Sequence, residues 1–369
     1  MDISLLNSTN RVYIVGAQSR AKTLTGYLHF LFPDIIIEAY LVNDLLQNES
    51  FVQGVPVKKL CKNSFLNLEL PVFIATKGIY HDDIEKELNY MGFYNIIPVT
   101  VAVDNWFRNE YVRKFFQMEN LPFQKIDEME IESHYNKKDT NINACIYMAK
   151  SIYDKPLHEY KKPMYERAIQ VGAALTDKRL ESGIMTDCVG ENISIKNRQY
   201  CELTALYWIW KNALEDYVGL SHYRRHFILP NGWQDIVISN KIDVILPVPT
   251  YVWPSIDENY KERHDPYDWN YLLEYLQKKT VEDYNIASKV FSQNLYLPCN
   301  MFIMRKEIVN ELCTWMFPIL DAIVEHGGEK ADPYLNRYPG FISERLLTLF
   351  FSKYKDKYKI VYTDKNFIL

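Results

Sequence analysis

The sequence predicts an α/β fold with two domains, each built around a mostly parallel sheet. A length of 369 residues exceeds that of a usual single domain and is enough for two separate cores. Short apolar runs typical of buried strands alternate with segments of helical periodicity, and this alternation produces parallel sheets. Hydrophobic residues make up 48% of the chain and charged residues 24%, which is ordinary for a globular protein.

Residues 1–105 are predicted to form the smaller domain. Apolar strands are indicated at 11–17, 35–42, 71–76 and 95–99, with helices over 19–32 and 81–91. This order resembles the small Rossmann-like domain at the N-terminus of some polysaccharide-biosynthesis proteins. The turn after Gly16 has one of the three glycines of the dinucleotide fingerprint, and Glu38 follows at about the spacing of a ribose-binding acid. An NAD(P)-dependent oxidoreductase is therefore kept as one alternative.

Residues 106–140 are predicted to be a helix followed by a linker. Aromatic residues mark the helical part, and the stretch 125–141 is rich in acidic residues and lysines, which is typical of a solvated connection. The second domain is therefore expected to span residues 141–369.

The second domain is predicted to contain further buried strands, at 143–149, 169–174, 217–220, 243–248 and 300–304. A helix is expected from Gln199 to Asn212, and a final helix begins at Ser343. Residues 250–270 combine aromatic rings, histidine and carboxylates, so we expect an irregular binding loop there.

A cluster of cationic side chains follows the strand at residues 217–220. The carboxyl ends of parallel strands are where open α/β sheets bind ligands, so His222, Arg224 and Arg225 are expected at such a site. Adjacent guanidiniums repel each other unless an anion or a carboxylate neutralises them, and their planar shape suits phosphate. Two interpretations remain open: a diphosphate site, or structural arginines paired with a core carboxylate.

Composition excludes several classes of protein. A net charge of -5 argues against general affinity for nucleic acid. The six cysteines include no Cys-x-x-Cys pair, so free thiols of a reducing compartment are expected. No signal peptide pattern and no run of about 18 apolar residues occurs, which predicts a cytoplasmic protein without a spanning helix.

Six distinct motifs follow one another between about residue 144 and the C-terminus, at 170–174, 190–197, 200–212, 218–225, 300–304 and 340–345. Together they resemble a family of bacterial capsule and exopolysaccharide glycosyltransferases long catalogued only as a domain of unknown function. The resemblance implies that residues 141–369 form a GT-A-like domain. It also implies transfer of a sugar, galactofuranose in some members, from a UDP-linked or other nucleotide diphosphate donor to a glycan acceptor.

The resemblance and the residue types together suggest a site. The predicted donor-binding residues are Gln170, Gly172, Asn192, Lys196, His222, Tyr223, Arg224 and Arg225. The predicted acceptor-binding residues are Trp253, His264 and Trp269. An inverting transferase needs a carboxylate or a histidine that takes the proton of the acceptor hydroxyl. The predicted catalytic residues are Asp265, Asp268 and Glu344, and His264 is a further candidate for this role.

Cofactors and partners follow from the same comparison. The Asp-x-Asp motif that holds a divalent metal in GT-A enzymes is absent from the sequence, so we expect cationic side chains to replace the metal and no cofactor to be needed. The acceptor is expected to be a glycan or a lipid-linked oligosaccharide at the inner membrane face, where the Lys- and Tyr-rich residues 351–359 could make a peripheral contact. The other alternative is a non-catalytic nucleotide-sugar-binding or scaffold protein of polysaccharide assembly.

Overall fold

The computed structural model describes residues 9–61, 65–132, 142–155, 157 and 163–367. The chain divides into two compact units, Met1–Asn120 and Leu121–Leu369. Both units contain a mostly parallel sheet covered by helices, so the predicted α/β fold class is confirmed.

The first unit has a six-stranded sheet in the order β3-β4-β2-β1-β5-β6, in which only the β3–β4 pair is antiparallel. Its strands are β1 Arg11–Val15, β2 Ile36–Val42, β3 Phe51–Val52, β4 Val55–Lys59, β5 Val72–Ile74 and β6 Ile96–Pro98. Its helices are α1 Ser19–Leu31, α2 His81–Met91 and α3 Val101–Met118. The strands are short and almost wholly apolar because both faces of a parallel sheet are buried.

The structure disfavours the predicted dinucleotide contact in this unit. Glu38 lies near the amino end of β2, where it forms an ion pair with Arg11, the first residue of β1, at 2.5 Å. Gly16 follows the carboxyl end of β1, at the opposite edge of the sheet. The carboxylate of Glu38 therefore does not reach the turn that would hold a pyrophosphate.

The second unit has a seven-stranded sheet in the order β15-β11-β14-β10-β7-β8-β9. Its strands are β7 Ala144–Lys150, β8 Glu166–Gln170, β9 Met185–Thr186, β10 Tyr217–His222, β11 Val244–Pro247, β14 Phe302–Arg305 and β15 Ile360–Thr363. Only β14 runs antiparallel to its neighbours. β10 approaches β14 closely at Gly219, where a Cβ atom would stand 2.9 Å from the carbonyl oxygen of Phe302. Glycine is required there.

Eight helices accompany this sheet in the described part of the chain. They are α4 Asn197–Tyr200, α5 Leu203–Asn212, α6 Trp233–Ser239, α7 Ile256–Arg263, α8 Pro266–Lys279, α9 Val281–Phe291, α10 Lys306–Gly327 and α11 Tyr338–Lys353. A separate two-stranded pair joins β12 Thr250–Tyr251 to β13 Leu295–Tyr296. None of the helices described is both long and apolar enough to cross a bilayer.

Several predicted segments differ from the structure. The strand predicted at 169–174 is β8 Glu166–Gln170, followed by a left-handed turn at Gly172, and the final helix predicted from Ser343 begins at Tyr338. Residues 250–270 were expected to be irregular, but they contain β12, α7 and the start of α8. The side chains of Ser255 and Asp265 cap these helices by accepting hydrogen bonds from the backbone N–H groups of Glu258 and Tyr267. The helix predicted from Gln199 is interrupted at Cys201, whose φ of 50° ends α4 before α5 begins.

The described part of the predicted linker packs on the second unit. Lys125 is buried and pairs with Asp364 at 2.8 Å, and Ile126 is fully buried. The Asn240 side chain donates a hydrogen bond to the carbonyl of Glu130. The rest of the predicted linker lies outside the described residues.

Candidate functional site

The carboxyl edge of the second sheet brings several polar segments together. β7 ends at Lys150 and its parallel neighbour β10 ends at His222. Because β14 is antiparallel, its amino end lies at the same edge, so Cys299 and Asn300 arrive there as well. The starts of α5 and α11 also face this edge, because Glu202 and Gly340 accept hydrogen bonds from the Asn300 side chain. We call the resulting group of residues the sheet-edge site.

The arginine pair Arg224 and Arg225 lies in a tight turn directly after β10. The backbones of His222 and Arg225 close the turn with two hydrogen bonds of 3.0 Å. The guanidinium of Arg225 lies 5.5 Å from the ring centre of Phe367, and that of Arg224 lies 5.2 Å from the ring of Tyr223. The Nε atom of Arg224 is buried and has no hydrogen-bond partner among the described residues. These cations therefore retain hydrogen-bonding capacity for an anion.

Carboxylates surround the arginine pair. Asp154 lies close enough to Arg224 and Arg337 for their charges to act on its pKa, which burial nevertheless raises. Burial also raises the pKa of Glu344, while the charges of Arg345 and Arg225 oppose that increase. Mixed charges of this kind are typical of functional sites, although structural ion-pair networks share the property.

Asn300 connects three segments of the sheet-edge site. Its side-chain amide donates hydrogen bonds to Glu202 Oε1 at 2.8 Å and to the carbonyl of Gly340 at 3.1 Å. Its side-chain oxygen accepts a hydrogen bond from Ser343 at 2.9 Å. The residue is 2% exposed and has a φ of 51°, and Cys299 before it has a φ of 70°. Left-handed backbone at two successive non-glycine residues is strained, and such strain is concentrated at functional sites.

His222 is held as a neutral imidazole with a defined tautomer. Its Nε2 atom lies 2.5 Å from the carbonyl oxygen of Cys299. A carbonyl can only accept a hydrogen bond, so Nε2 carries the proton and Nδ1 carries the lone pair. Burial lowers the pKa of His222, which keeps the ring uncharged at neutral pH.

Aromatic side chains line one side of the sheet-edge site. The ring of His264 stacks on Phe341 at 4.0 Å and on Tyr334 at 5.7 Å, and we call these three residues the aromatic shelf. Tyr334 is 49% exposed. Arg337 lies over the Phe341 ring at 5.8 Å, and its charge also interacts with Glu202. The shelf is therefore contiguous with the charged part of the site.

Four predicted donor-binding residues have structural contacts instead. Both side-chain ends of Gln170 hold the loop at 178–180, and Gly172 forms a left-handed turn with a φ of 65°. Asn192 bonds to the backbone of residues 190 and 194. Lys196 pairs with Asp321 at 3.5 Å. Their donor-binding role stays a prediction, and the other four, His222, Tyr223, Arg224 and Arg225, lie at the sheet edge.

The predicted catalytic residues Asp265 and Asp268 form an ion-paired cluster with Lys330. The Lys330 ammonium lies 2.7 Å from Asp265 Oδ2 and also binds Asp268, whose side chain is 1% exposed. This pairing favours a structural role. Among the predicted carboxylates only Glu344 lies at the sheet-edge site, where it accepts a hydrogen bond from the N–H of Cys299 and pairs with Arg345 at 2.7 Å.

The predicted acceptor-binding residues are separated by the fold. Trp269 is fully buried, stacks on Tyr260 and donates a hydrogen bond to Asp257, so its ring belongs to the core. Trp253 is 37% exposed and lies in the loop between β12 and α7. Of the three, His264 is the residue that joins the aromatic shelf.

Several residues of the site were not among the predicted ones: Glu202, Asn300, Tyr334, Arg337 and Phe341. In the continuous helix predicted from Gln199, Glu202 would lie in the first turn near the positive end of the helix dipole, or it would pair with one of the two arginines. The break at Cys201 instead places Glu202 at the start of α5, facing Asn300. No local pattern indicates such a break, because the left-handed residue is a cysteine and not the usual glycine.

In the described part of the chain no group of three or more His, Cys, Asp or Glu side chains could hold a metal ion. Comparison with known proteins finds similarity to a protein family and to solved structures. A family described as a domain of unknown function, DUF4422, matches residues 146–356. The apo structure of WbbM, a bifunctional glycosyltransferase, is similar with a TM-score of 0.53 and 26% identity, over 61% of this chain and 45% of that one. This chain thus matches less than half of that relative's length. No curated protein matches the chain.

Proposed function

The chain belongs to the DUF4422 family, and we propose that its second unit is a glycosyltransferase that uses a nucleotide diphosphate sugar. The observation that carries this proposal is the arginine pair at the carboxyl edge of a sheet whose fold resembles a glycosyltransferase. The similarity to WbbM supports the class of reaction, and the geometry of the sheet-edge site supports the assignment of residues.

The donor diphosphate would bind to Arg224 and Arg225. Their guanidiniums lie beyond the end of β10, where a parallel sheet binds ligands, and Arg224 has an unused N–H group. Charge on the diphosphate increases as the bond to the sugar breaks, so fixed cations stabilise the transition state more than the ground state. Arg337 extends the positive charge toward the aromatic shelf.

The acceptor would bind along the aromatic shelf of His264, Tyr334 and Phe341. Aromatic rings suit ligands that present both apolar faces and hydroxyls, as sugars do. The shelf lies next to Arg337 and Gly340, and a Cβ atom at Gly340 would stand 3.9 Å from Glu202 Oε1. An acceptor sugar on the shelf would therefore present its hydroxyl to the carboxylates and the donor.

The family resemblance supports finer assignments that we include in the proposal. The donor would be a UDP-sugar, galactofuranose being one candidate for the transferred residue. The acceptor would be a glycan or lipid-linked oligosaccharide of bacterial capsule or exopolysaccharide, used by a cytoplasmic protein at the inner membrane face. No cofactor would be required, because arginines take the place of the metal at the diphosphate.

The test is calorimetric binding of a panel of UDP-, GDP- and dTDP-sugars, first with EDTA and then with Mn²⁺. Each charge-assisted contact to phosphate contributes about 1.5–3 kcal/mol, so Arg224→Ala or Arg225→Ala should weaken binding about 10- to 150-fold. The matched control is Arg20→Ala, an exposed arginine of the first unit at the start of α1.

The outcomes separate the competing functions. Binding in EDTA that Arg224→Ala and Arg225→Ala abolish, followed by release of nucleoside diphosphate, would support the transferase. Donor binding without hydrolysis or transfer to any acceptor would favour a scaffold protein. Binding that Arg20→Ala abolishes, or that depends on Mn²⁺, would contradict the arginine site.

A further inference from the structure

The geometry points to Glu202 as the general base of the reaction, held in position by Asn300. This inference rests on the proposed glycosyltransferase activity and adds to it the residue that accepts the proton of the attacking hydroxyl. Glu202 lies at the start of α5 and is partly exposed. Its charge interacts with His222 at the end of β10 and with Arg337, which lies over the Phe341 ring of the aromatic shelf.

A general base needs one fixed oxygen and one accessible oxygen. Oε1 of Glu202 accepts the hydrogen bond from Asn300 at 2.8 Å. In the described part of the structure Oε2 makes no hydrogen bond, and it is not among the buried unsatisfied atoms. A carboxylate anchored at one oxygen can accept a proton at the other without moving.

The other carboxylate of the site, Glu344, is less suited to this role. One of its oxygens accepts the N–H of Cys299 and the other pairs with Arg345, whose side chain is 3% exposed. Protonating Glu344 would leave the buried Arg345 without its counter-charge, which is costly. Glu344 therefore positions the segment before β14 and neutralises Arg345.

Asn300 is the positioning residue for Glu202. It is 2% exposed, and its amide and oxygen are all engaged, with Glu202, Gly340 and Ser343. The amide has no charge, so it orients the carboxylate without neutralising it as an arginine would. The left-handed backbone at Cys299 and Asn300 places the Asn300 amide within hydrogen-bonding distance of Glu202.

The proposed step balances as a single displacement. The acceptor hydroxyl oxygen attacks the anomeric carbon, the bond from that carbon to the diphosphate oxygen breaks, and its electron pair leaves with the nucleoside diphosphate. The hydroxyl proton passes to Oε2 of Glu202. Water can replace the acceptor in the same step and gives the free sugar. Displacement from the face opposite the leaving group inverts the anomeric configuration.

Groups from several elements lie around Glu202. They are Cys201 beside it, His222 on β10, Cys299 and Asn300 before β14, Arg337 in the turn before α11 and Glu344 on α11.

The experiment measures release of UDP from the UDP-sugar that the wild-type protein hydrolyses, chosen among UDP-glucose, UDP-galactose and UDP-galactofuranose. Glu202→Gln should lower turnover about 10²- to 10⁴-fold while binding of UDP changes less than about threefold. Asn300→Gly keeps the left-handed backbone, and it should lower kcat and leave KM nearly unchanged. The matched control is Glu191→Gln, which removes a surface carboxylate paired with Lys211.

Failure of the inference differs from failure of the proposed function. If the wild type is active and the Glu202→Gln variant keeps more than a third of its turnover, the base assignment is overturned and the proposed function stands. A product of retained configuration would also overturn the base assignment alone. If no sugar nucleotide of the panel is bound or hydrolysed by the wild type, both proposals fall. If Glu202→Gln does not fold, a second test is Glu202→Ala with added formate, which can replace the missing carboxylate. Recovery of turnover would support Glu202 as the base, and no recovery in a folded variant would contradict it.

Discussion

Removing the Asp268 carboxylate should destabilise the second unit without blocking the chemistry. Asp268 lies in the cluster with Asp265 and Lys330, and its side chain is 1% exposed against 35% for Asp265. Lys330 is 13% exposed, so the ion pair it forms with Asp268 is largely shielded from water. Breaking such a pair leaves a buried charge with one partner fewer.

The magnitude follows from the contacts that are lost. A hydrogen bond to a charged group contributes about 1.5–3 kcal/mol, and Lys330 keeps Asp265 as a partner, so we expect Asp268→Ala to cost about 2–3 kcal/mol. For a unit of this size that corresponds to a melting temperature lower by about 4–12 °C. Asp265→Ala should cost about 1–2 kcal/mol, mainly through loss of the cap that accepts the Tyr267 N–H.

The assay combines thermal unfolding, followed by circular dichroism, with UDP release well below the transition. Asp177→Ala, at an exposed position in the same unit, is the matched control and should change neither quantity. Folded Asp268→Ala protein should keep turnover within about threefold of the wild type. A variant with unchanged melting temperature and turnover lower by more than 10²-fold would refute the structural interpretation and restore Asp268 as a catalytic residue.

Two further predictions concern the second unit. Asp187→Ala should cost about 3 kcal/mol of unfolding free energy, since its buried carboxylate accepts hydrogen bonds from the backbone N–H groups of Gly172 and Ala173 and from the hydroxyls of Ser194 and Thr204. An unchanged urea midpoint would contradict this. Burial lowers the pKa of His264 from 6.5 to about 3, so between these values the unfolded chain binds a proton that the folded chain excludes, and stability falls as pH drops below 6.5. The melting temperature of the His264→Phe variant should therefore change less with pH than that of the wild type between about pH 6.5 and 5. An unchanged pH dependence would contradict this.

The sheets could be predicted from the sequence because their strands are continuous apolar runs. Residues 217–220 were expected to end at a cationic site, and the structure places Arg224 and Arg225 at that sheet edge. The helical caps in residues 250–270 were also readable in principle. Ser255 precedes Glu258 by three positions and Pro266 follows Asp265, both signals of helix starts, but the aromatic content favoured a loop.

The composition of the site could not be predicted in the same way. Glu202, Asn300 and Gly340 are far apart in the chain, and only the crossing of α5, α11 and the segment before β14 brings them together. The left-handed backbone of Cys201 and Cys299 has no marker in the sequence, since neither position is occupied by glycine or asparagine. Tertiary contacts, not local preferences, determine these conformations.

The hydrogen bonds of the Asn300 side chain limit how this protein can change during evolution. The Asn300 side chain contacts a carboxylate of α5 and a backbone carbonyl and a hydroxyl of α11, so the effect of any one substitution depends on the other residues of this group. Glu202, Asn300 and Ser343 should therefore behave as an epistatic unit. Neighbouring surface positions can drift singly, whereas these three should be inherited or replaced together, and the free energies of their double mutants should deviate from the sum of the single mutants.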